Sequence, residues 1–347
     1  MNIAVLLGGI SPERNISYLS GRAAVFALRE LGHSVVAIDP SRGANGVVSD
    51  EELRAATATE VTSEELASFT TMSLMQCITS DLLDGIDIVF ILLHGRYGED
   101  GYIQSLLDLR GIPYTGSTML ASAAAMDKGL SKMLFQVAGI PTPYWVSVLP
   151  EQADDQELLA EVCKEINGPM VVKPNDQGST VGMTILNSVS VDGLADAIRL
   201  AGQFTETILV ERYIPGRELT VTVLGAESLP IIEIVPKDGY YDYANKYTKG
   251  KTEYFCPADL SQEVQDHVQN LAVAAHHVLG CRAYSRVDFR LTDDNIPYCL
   301  EVNTIPGFTE TSLVPMAARA SGIEFGDLCE EIMRLSLPVS KTPGNIG

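Results

Sequence analysis

Arg286-Val287-Asp288-Phe289-Arg290-Leu291, followed by Leu300-Glu301-Val302-Asn303-Thr304-Ile305-Pro306-Gly307, is the stretch from which the rest of this chain can be read. Polar Arg286, Asp288 and Arg290 alternate with apolar Val287, Phe289 and Leu291, the period-two pattern of a half-buried strand. Asp293-Asp294-Asn295 reads as a turn, so a hairpin is predicted. On the returning strand Glu301 and Asn303 share a face, and folding about the turn brings Asp288 opposite Glu301. Two carboxylates and an amide then converge as oxygen donors. Such a set suits magnesium, which takes few protein carboxylates and fills its other positions with water and substrate phosphates. Taken alone, Asp288 and Glu301 fit the charged outer face of an ordinary hairpin better; the other segments reverse that judgement.

A chain of 347 residues has room for two or three domains with buried cores. Lys plus Arg number 24 against 45 for Asp plus Glu, a formal charge of -21, which disfavours nucleic acid and anionic membrane as partners. Any anion site must therefore be local. Cys77, Cys163, Cys256, Cys281, Cys299 and Cys329 are scattered, with no C-x-x-C pair and no histidine at ligand spacing, and read as reduced core residues. No basic leader precedes the apolar run 3–7, and the longest apolar block, 88–93, is too short to span a bilayer. A cytosolic protein is expected.

The chain opens as a βαβ unit: a strand over 2–7 ending in Gly8-Gly9, a helix over 17–31 and a second strand over 33–38. Residues 41–84 are polar, with short helical patterns at 51–56 and 63–69. A continuous apolar strand at 86–93, a helix over 101–109 and a strand over 112–115 complete a doubly wound unit that ends near Gly116. A helix is predicted over 121–138, with Gly139 as its C-cap and Pro141 beyond. Strands at 144–149, 170–173, 183–187 and 208–213 with helices at 157–166 and 191–201 make a small mixed domain. The remainder holds strands at 218–224 and 229–235, a long loop, a helix over 262–279, the hairpin and two final helices.

Four further segments carry chemistry. Lys173-Pro174-Asn175-Asp176-Gln177-Gly178-Ser179-Thr180-Val181-Gly182 is a glycine-rich connection able to close over phosphates, with Lys173 as a point charge; by itself it is also a plausible hairpin turn. It is not a Walker A loop, and Gly8-Gly9 lacks the G-x-G-x-x-G spacing of a dinucleotide site. His94-Gly95 and Glu13 follow parallel strands at the edge where open α/β sheets bind ligands. Their plainer readings are a histidine bonded to backbone and a helix-capping carboxylate. Residues 239–257, with Lys237 just before them, combine Tyr240, Tyr241, Tyr243, Tyr247, Tyr254 and Phe255 with Lys246, Lys249 and Lys251, which reads as a lid that excludes water. Glu211 to Ile214 ends an apolar strand between the two later units. Backbone groups there suit an adenine edge and Glu218 a ribose, unless the segment is simply a linker.

Together these motifs resemble the D-alanine:D-alanine ligases of the ATP-grasp superfamily over residues 3–335. Gly8-Gly9 with Glu13 and Ser17, His94-Gly95 with Gly98-Glu99-Asp100-Gly101, Met126-Asp127-Lys128, Lys173-Pro174 with Gly178-Ser179, Tyr241-Asp242-Tyr243 with Lys246-Tyr247, and Asn303-Thr304 with Pro306-Gly307 all stand in family order. The resemblance implies an α/β (α+β ATP-grasp) fold: an N-terminal doubly wound parallel-sheet domain at 1–116, then domains at 117–211 and 212–347 that clasp ATP. It also implies that Lys128, Lys173, Ser179 and Lys246 contact ATP phosphates, Glu211, Tyr213 and Ile214 the adenine, and Glu218 the ribose. Asp288, Glu301 and Asn303 would bind two Mg2+ or Mn2+. Glu13 would hold the ammonium of the first D-alanine in a set with Ser179 and Tyr247, His94 and Ser312 would contact substrate, and Arg286 and the Gly307 N–H would face the oxyanion. Departures are Thr180 for a second serine, Asn15 for glutamate and a longer 41–84 segment.

The implied reaction joins two D-alanines through a D-alanyl phosphate, releasing ADP and phosphate, for peptidoglycan synthesis by a cytoplasmic bacterial homodimer. In the family a tyrosine at position 247 accompanies D-alanine as second substrate. Alternatives are D-alanyl-D-lactate or D-alanyl-D-serine formation, or a nucleotide-binding regulator without turnover.

Overall fold

The structure, a computed structural model, describes residues 1–59, 61–237 and 251–337. Strands β1 (Asn2–Leu6), β2 (Ser34–Ile38) and β3 (Ile88–Ile91) form a parallel sheet in the order β2-β1-β3, with Ile3 opposite both Val35 and Ile88. All four residues of β3 are buried, as a parallel strand covered on both faces requires. The helix Arg14–Glu30 covers one face so closely that a Cβ on Gly21 would lie 2.5 Å from Leu7 Cδ2. The strand expected at 112–115 is reduced to an isolated parallel bridge between Val89 and Tyr114. Beyond it the Thr115 hydroxyl accepts from Ile91 N at 3.0 Å in place of a ladder carbonyl, and Gly116 turns away at φ +87°.

The second sheet is antiparallel, built from β4 (Trp145–Val148), β5 (Met170–Pro174), β6 (Thr184–Leu186) and β7 (Ile208–Arg212) in the order β4-β7-β5-β6. Its apolar side shares a core with the helices Gln156–Ile166 and Val191–Ala201. The third sheet contains β8 (Arg217–Leu224), β9 (Glu227–Ser228), β10 (Ile232–Pro236), β11 (Thr252–Phe255), β12 (Tyr284–Leu291) and β13 (Pro297–Asn303) in the order β11-β10-β8-β12-β13, with β9 against β8. Most of the expected lid, including Lys246 and Tyr247, falls outside the described residues; its last part forms β11 on the edge of this sheet.

Three sequence expectations are corrected here. The helix expected over 121–138 is two helices, Met119–Met126 and Lys128–Val137, broken at Asp127, whose backbone is extended and whose carboxylate accepts from Leu130 N at 2.9 Å. An N-cap aspartate ends one helix and starts the next. Both helices pack in the core of the third sheet, through Ala124, Ala125 and Phe135. The 41–84 segment also holds a helix not foreseen, Thr71–Thr79, which buries Leu74, Cys77 and Ile78. Of the six free cysteines, Cys163 and Cys256 are half-buried rather than in a core. No helix among the described residues is long and apolar enough to cross a membrane.

Phe308 stands at the joint between the first and third units, inside a core that the two share. Phe308, fully buried, packs against Phe90 of β3, Tyr284 of β12 and Phe325 of the helix Phe325–Ser336, at ring-centroid distances of 5.8, 6.0 and 5.2 Å. Truncation to alanine removes a ring that neighbours on three elements surround. Phe308→Ala is therefore expected to lower unfolding free energy by about 3–5 kcal/mol, read from urea denaturation; a loss under about 1 kcal/mol would show that the joint does not depend on this ring.

Candidate active site

The hairpin forms in the register expected: Asp288 pairs with Glu301, and Arg286 with Asn303. A bulge interrupts the strict alternation, because Phe289 pairs with Cys299 and leaves Leu300 as an extra residue on β13. As a result Leu300, Glu301, Val302 and Asn303 all line one cavity. The Asp288 carboxylate receives Arg286 Nε at 2.9 Å, Arg286 Nη2 at 2.7 Å and the Thr220 hydroxyl at 2.6 Å. Glu301 lies 3.3 Å from Lys128 Nζ. Each carboxylate of the oxygen-donor set thus has a cationic neighbour. No group of three or more His, Cys, Asp or Glu able to hold a metal occurs among the described residues. What is present is two carboxylates and an amide, the sparse donor set that a hard divalent ion completes with water and phosphate.

Glu13 enters the same cavity from the first unit. It stands at the N-cap of the helix Arg14–Glu30, yet its side chain makes no capping bond; it accepts from the Ser179 hydroxyl at 2.6 Å. That contact ties the first unit to the glycine-rich connection of the second. Ser179 and Thr180 both take positive φ, +51° and +59°. For a β-branched residue such as Thr180 this conformation is strained, so tertiary contacts must hold the turn.

At the base of that connection a buried charge cluster fixes Lys173. Its Nζ donates to Glu211 Oε1 at 2.6 Å, and Lys132 Nζ lies 2.9 Å from Oε2, a charge contact without hydrogen-bond alignment. Lys132 also donates to Thr142 Oγ1 at 2.9 Å and to the Pro143 carbonyl at 3.1 Å. Burial works against ionisation of Glu211, but Lys132 and Lys173 outweigh it and hold the carboxyl down to about 2. Burial likewise pushes the Lys132 ammonium below its ordinary value, against the pull of Glu211.

The chain passes from β7 to β8 through Tyr213, Ile214, Pro215 and Gly216. Among the described residues nothing accepts from the Ile214 N–H, while its carbonyl accepts from Arg290 Nε at 3.1 Å. Glu218, opposite Arg290 in the sheet, is 3.3 Å from Arg290 Nη1. Burial pushes the Glu218 carboxyl up to about 7, with Arg290 pulling the other way.

His94 lines the cavity, but both ring nitrogens are engaged: Nδ1 with the Ile305 carbonyl at 3.0 Å and Nε2 with Ser20 Oγ at 3.1 Å. Ser20 Oγ in turn accepts from Phe308 N at 3.2 Å. A neutral imidazole donating from Nδ1 satisfies the whole chain. His94 so steadies the loop presenting Gly307, and it matches the backbone-bonded alternative read from sequence. Ser312 is beside Gly307, where a Cβ would lie 3.4 Å from its Oγ, and its hydroxyl is shared with Thr309 at 2.8 Å.

The structure therefore gathers Glu13, His94, Lys128, Lys173, Ser179, Glu211, Tyr213, Ile214, Glu218, Arg286, Asp288, Glu301, Asn303 and Gly307 around one cavity. Ser312 adjoins it, and Lys246 and Tyr247 lie outside the described residues. Sequence reasoning missed Lys132, Thr220, Arg290 and Ser20. Lys132 had a signal, four residues after Lys128 and so on the same helical face. Thr220 needed the β8–β12 register, which is non-local.

Comparison with known proteins identifies the family. The chain matches the family models described as "D-ala D-ala ligase N-terminus" over residues 2–117 and "D-ala D-ala ligase C-terminus" over 134–334. It is 42% identical over 333 residues to a D-alanine--D-alanine ligase of Magnetococcus marinus, covering 96% of each chain. It superposes on the Bacillus anthracis D-alanine--D-alanine ligase complexed with ATP with a TM-score of 0.76 and 29% identity, covering 97% of both chains. With the VanG D-Ala:D-Ser ligase of Enterococcus faecalis the TM-score is 0.79 at 28% identity, covering 97% of this chain and 99% of that one.

Replacing Glu211 leaves two buried ammonium groups facing each other. Glu211→Gln is expected to cost about 3–5 kcal/mol of stability. In the parent protein the folded carboxyl titrates near 2 against an ordinary 4.5, so its stabilisation is complete above pH 4.5 and is lost as the pH falls toward 2. Denaturant melts between these pH values should show a slope that Glu211→Gln flattens; equal slopes in the two proteins would remove Glu211 as its source.

Proposed function

Because this chain belongs to the D-alanine–D-alanine ligase family, we propose that its cavity is the site where two D-alanine molecules are joined with ATP for peptidoglycan precursor synthesis. The observation that carries the assignment is the convergence of three units on one cavity: Glu13 from the first, Lys173 and Ser179 from the second, Asp288, Glu301 and Asn303 from the third. In this reading the unit 1–116 takes the first D-alanine while 117–211 and 212–347 clasp the nucleotide. The adenine edge meets the backbone at Glu211 to Ile214, where the Ile214 N–H has no acceptor among the described residues, and the buried Glu211 carboxylate serves the lysines instead. Glu218 takes the ribose hydroxyls.

Lys128 and Lys173 hold the ATP phosphates, and phosphoryl transfer is chiefly a matter of such positioning and charge. The carboxylate of the first D-alanine, its ammonium held by Glu13, attacks the γ-phosphorus; a D-alanyl phosphate forms and ADP departs. The amine of the second D-alanine then attacks the acyl carbon, and phosphate leaves. Arg286 and the Gly307 N–H stabilise the oxyanion between those events. Asp288, Glu301 and Asn303 would hold two Mg2+ or Mn2+, which neutralise phosphate charge when bound. Lys246 and Tyr247 are assigned to the transferred phosphate and to the Glu13–Ser179 set on their sequence position alone. An ATP-dependent step of peptidoglycan precursor synthesis belongs in the bacterial cytoplasm, where ATP is available.

Incubation with D-alanine, ATP and magnesium should yield D-alanyl-D-alanine and phosphate by mass spectrometry. Glu13→Gln should raise KM for D-alanine about tenfold or more, since it removes a charge-assisted contact to an ammonium. The likeness to a D-Ala:D-Ser ligase in fold makes D-serine the rival second substrate to test. A mixed dipeptide forming in preference when both amino acids are supplied would replace the first reading with the second.

We also propose a homodimer. The helices Tyr102–Arg110, Met119–Met126 and Lys128–Val137 expose Leu109 at 86%, Leu120 at 72% and Val137 at 85%. These three helices are in contact in chain order, and their exposed apolar side chains are the contacts offered to a partner. Sedimentation equilibrium should return twice the chain mass of 37.4 kDa, and Leu120→Glu should halve it. A monomer at micromolar concentration would refute the assembly.

A further inference from the structure

We infer that Arg290 is a positioning residue for the nucleotide: its guanidinium fixes the course of the chain through Ile214, Pro215 and Gly216 and thereby aims the backbone that faces adenine. The inference rests on the ATP reading of this cavity and adds a residue to it. Arg290 projects from β12 beside β8, directly opposite Glu218. Three of its nitrogens reach three acceptors on the neighbouring chain: Nε to the Ile214 carbonyl at 3.1 Å, Nη2 to the Gly216 carbonyl at 2.6 Å and Nη1 to Glu218 Oε2 at 3.3 Å. Its guanidinium also lies 5.9 Å from the centre of the Tyr213 ring.

The segment it holds has no ladder of its own, since β7 ends at Arg212 and β8 begins at Arg217. Gly216 adopts φ +129°, and a Cβ there would lie 2.0 Å from the Leu291 carbonyl oxygen. The turn is thus pressed against the end of β12 with Arg290 as its clasp. A planar fork with fixed donor directions can satisfy diverging acceptors, whereas an ammonium on a flexible stem is a single point charge. The Ile214 carbonyl belongs to the peptide joined to Pro215, so Arg290 fixes that plane directly; the Ile214 N–H belongs to the preceding peptide with Tyr213, one φ/ψ pair away, and is steadied through the chain and through the Tyr213 ring beside the guanidinium. Arg290 touches no reacting atom, and its effect is expected on nucleotide binding alone.

The test is steady-state ligation by the full-length protein with ATP varied at saturating D-alanine, then the reverse, for Arg290→Met and Arg290→Lys. Loss of charge-assisted bonds to two carbonyls should raise KM for ATP about tenfold or more in Arg290→Met. kcat and KM for D-alanine should stay within about twofold, because the Glu13 and Arg286 regions are untouched. Arg290→Lys should not restore KM for ATP, since charge without the fork cannot hold both carbonyls. Should Arg290→Met fail to fold, Arg290→Lys carries the same expectation by itself. An unchanged KM for ATP, its full rescue by lysine, or a parallel fall of kcat and both affinities would overturn the inference. Parent protein that makes the dipeptide without needing ATP would instead overturn the reading on which it rests.

Discussion

A carboxylate buried between two lysines is the constraint on which the nucleotide half of this molecule depends. Glu211 and Lys173 belong to adjacent strands of the second sheet, whereas Lys132 belongs to a helix packed in the core of the third. Their contacts therefore cross from the second sheet to the core of the third. Hydrophobic packing secures each sheet to its own helices, but it is non-directional and does not set where Lys173 points. The ion cluster does. It also sets the Thr142 and Pro143 segment through Lys132, so the entry to β4 and the exit of β7 are held by the same group of charges.

The oxygen-donor hairpin shows a second kind of control. Ordinary alternation on β13 would turn Leu300 to the side away from the cavity, and the bulge turns it inward beside Glu301. An apolar floor and an anionic edge then occupy consecutive residues. Arg286 and Lys128 stand against the two carboxylates, so like charges on facing strands do not splay the hairpin. The same cations face the region where a phosphate would bring further negative charge.

Around Phe308 the first unit is fastened by apolar and polar contacts together. Phe308 fills the space among Phe90, Tyr284 and Phe325, while its N–H begins the chain through Ser20 to His94 and the Ile305 carbonyl. The loop carrying Gly307 is thus clamped on both sides. Across the cavity the Glu13–Ser179 bond supplies a lighter connection, exposed to whatever enters. A substrate ammonium would meet Glu13 there; the Ser179 hydroxyl occupies Oε1 alone, so one carboxylate can serve both contacts.

The sequence by itself determined the hairpin pairing of Asp288 with Glu301, the parallel opening sheet and most strand positions, because alternation and apolar runs are local signals of burial. Motif order carried the family and the residues around the cavity. Only tertiary structure decided that the helical run before Pro141 splits at Asp127, since a capping aspartate and an interior one look alike until the helix has something to turn around. Only tertiary structure revealed Lys132, Thr220, Ser20 and Arg290. Each acts through a partner at least 68 residues away, through the chain in between, as with Thr220 and Asp288, Arg290 and Glu218, Ser20 and His94, and Lys132 and Glu211. No period along the sequence records a contact of that kind, because it comes from sheets and helices meeting, and it has no energy until they meet.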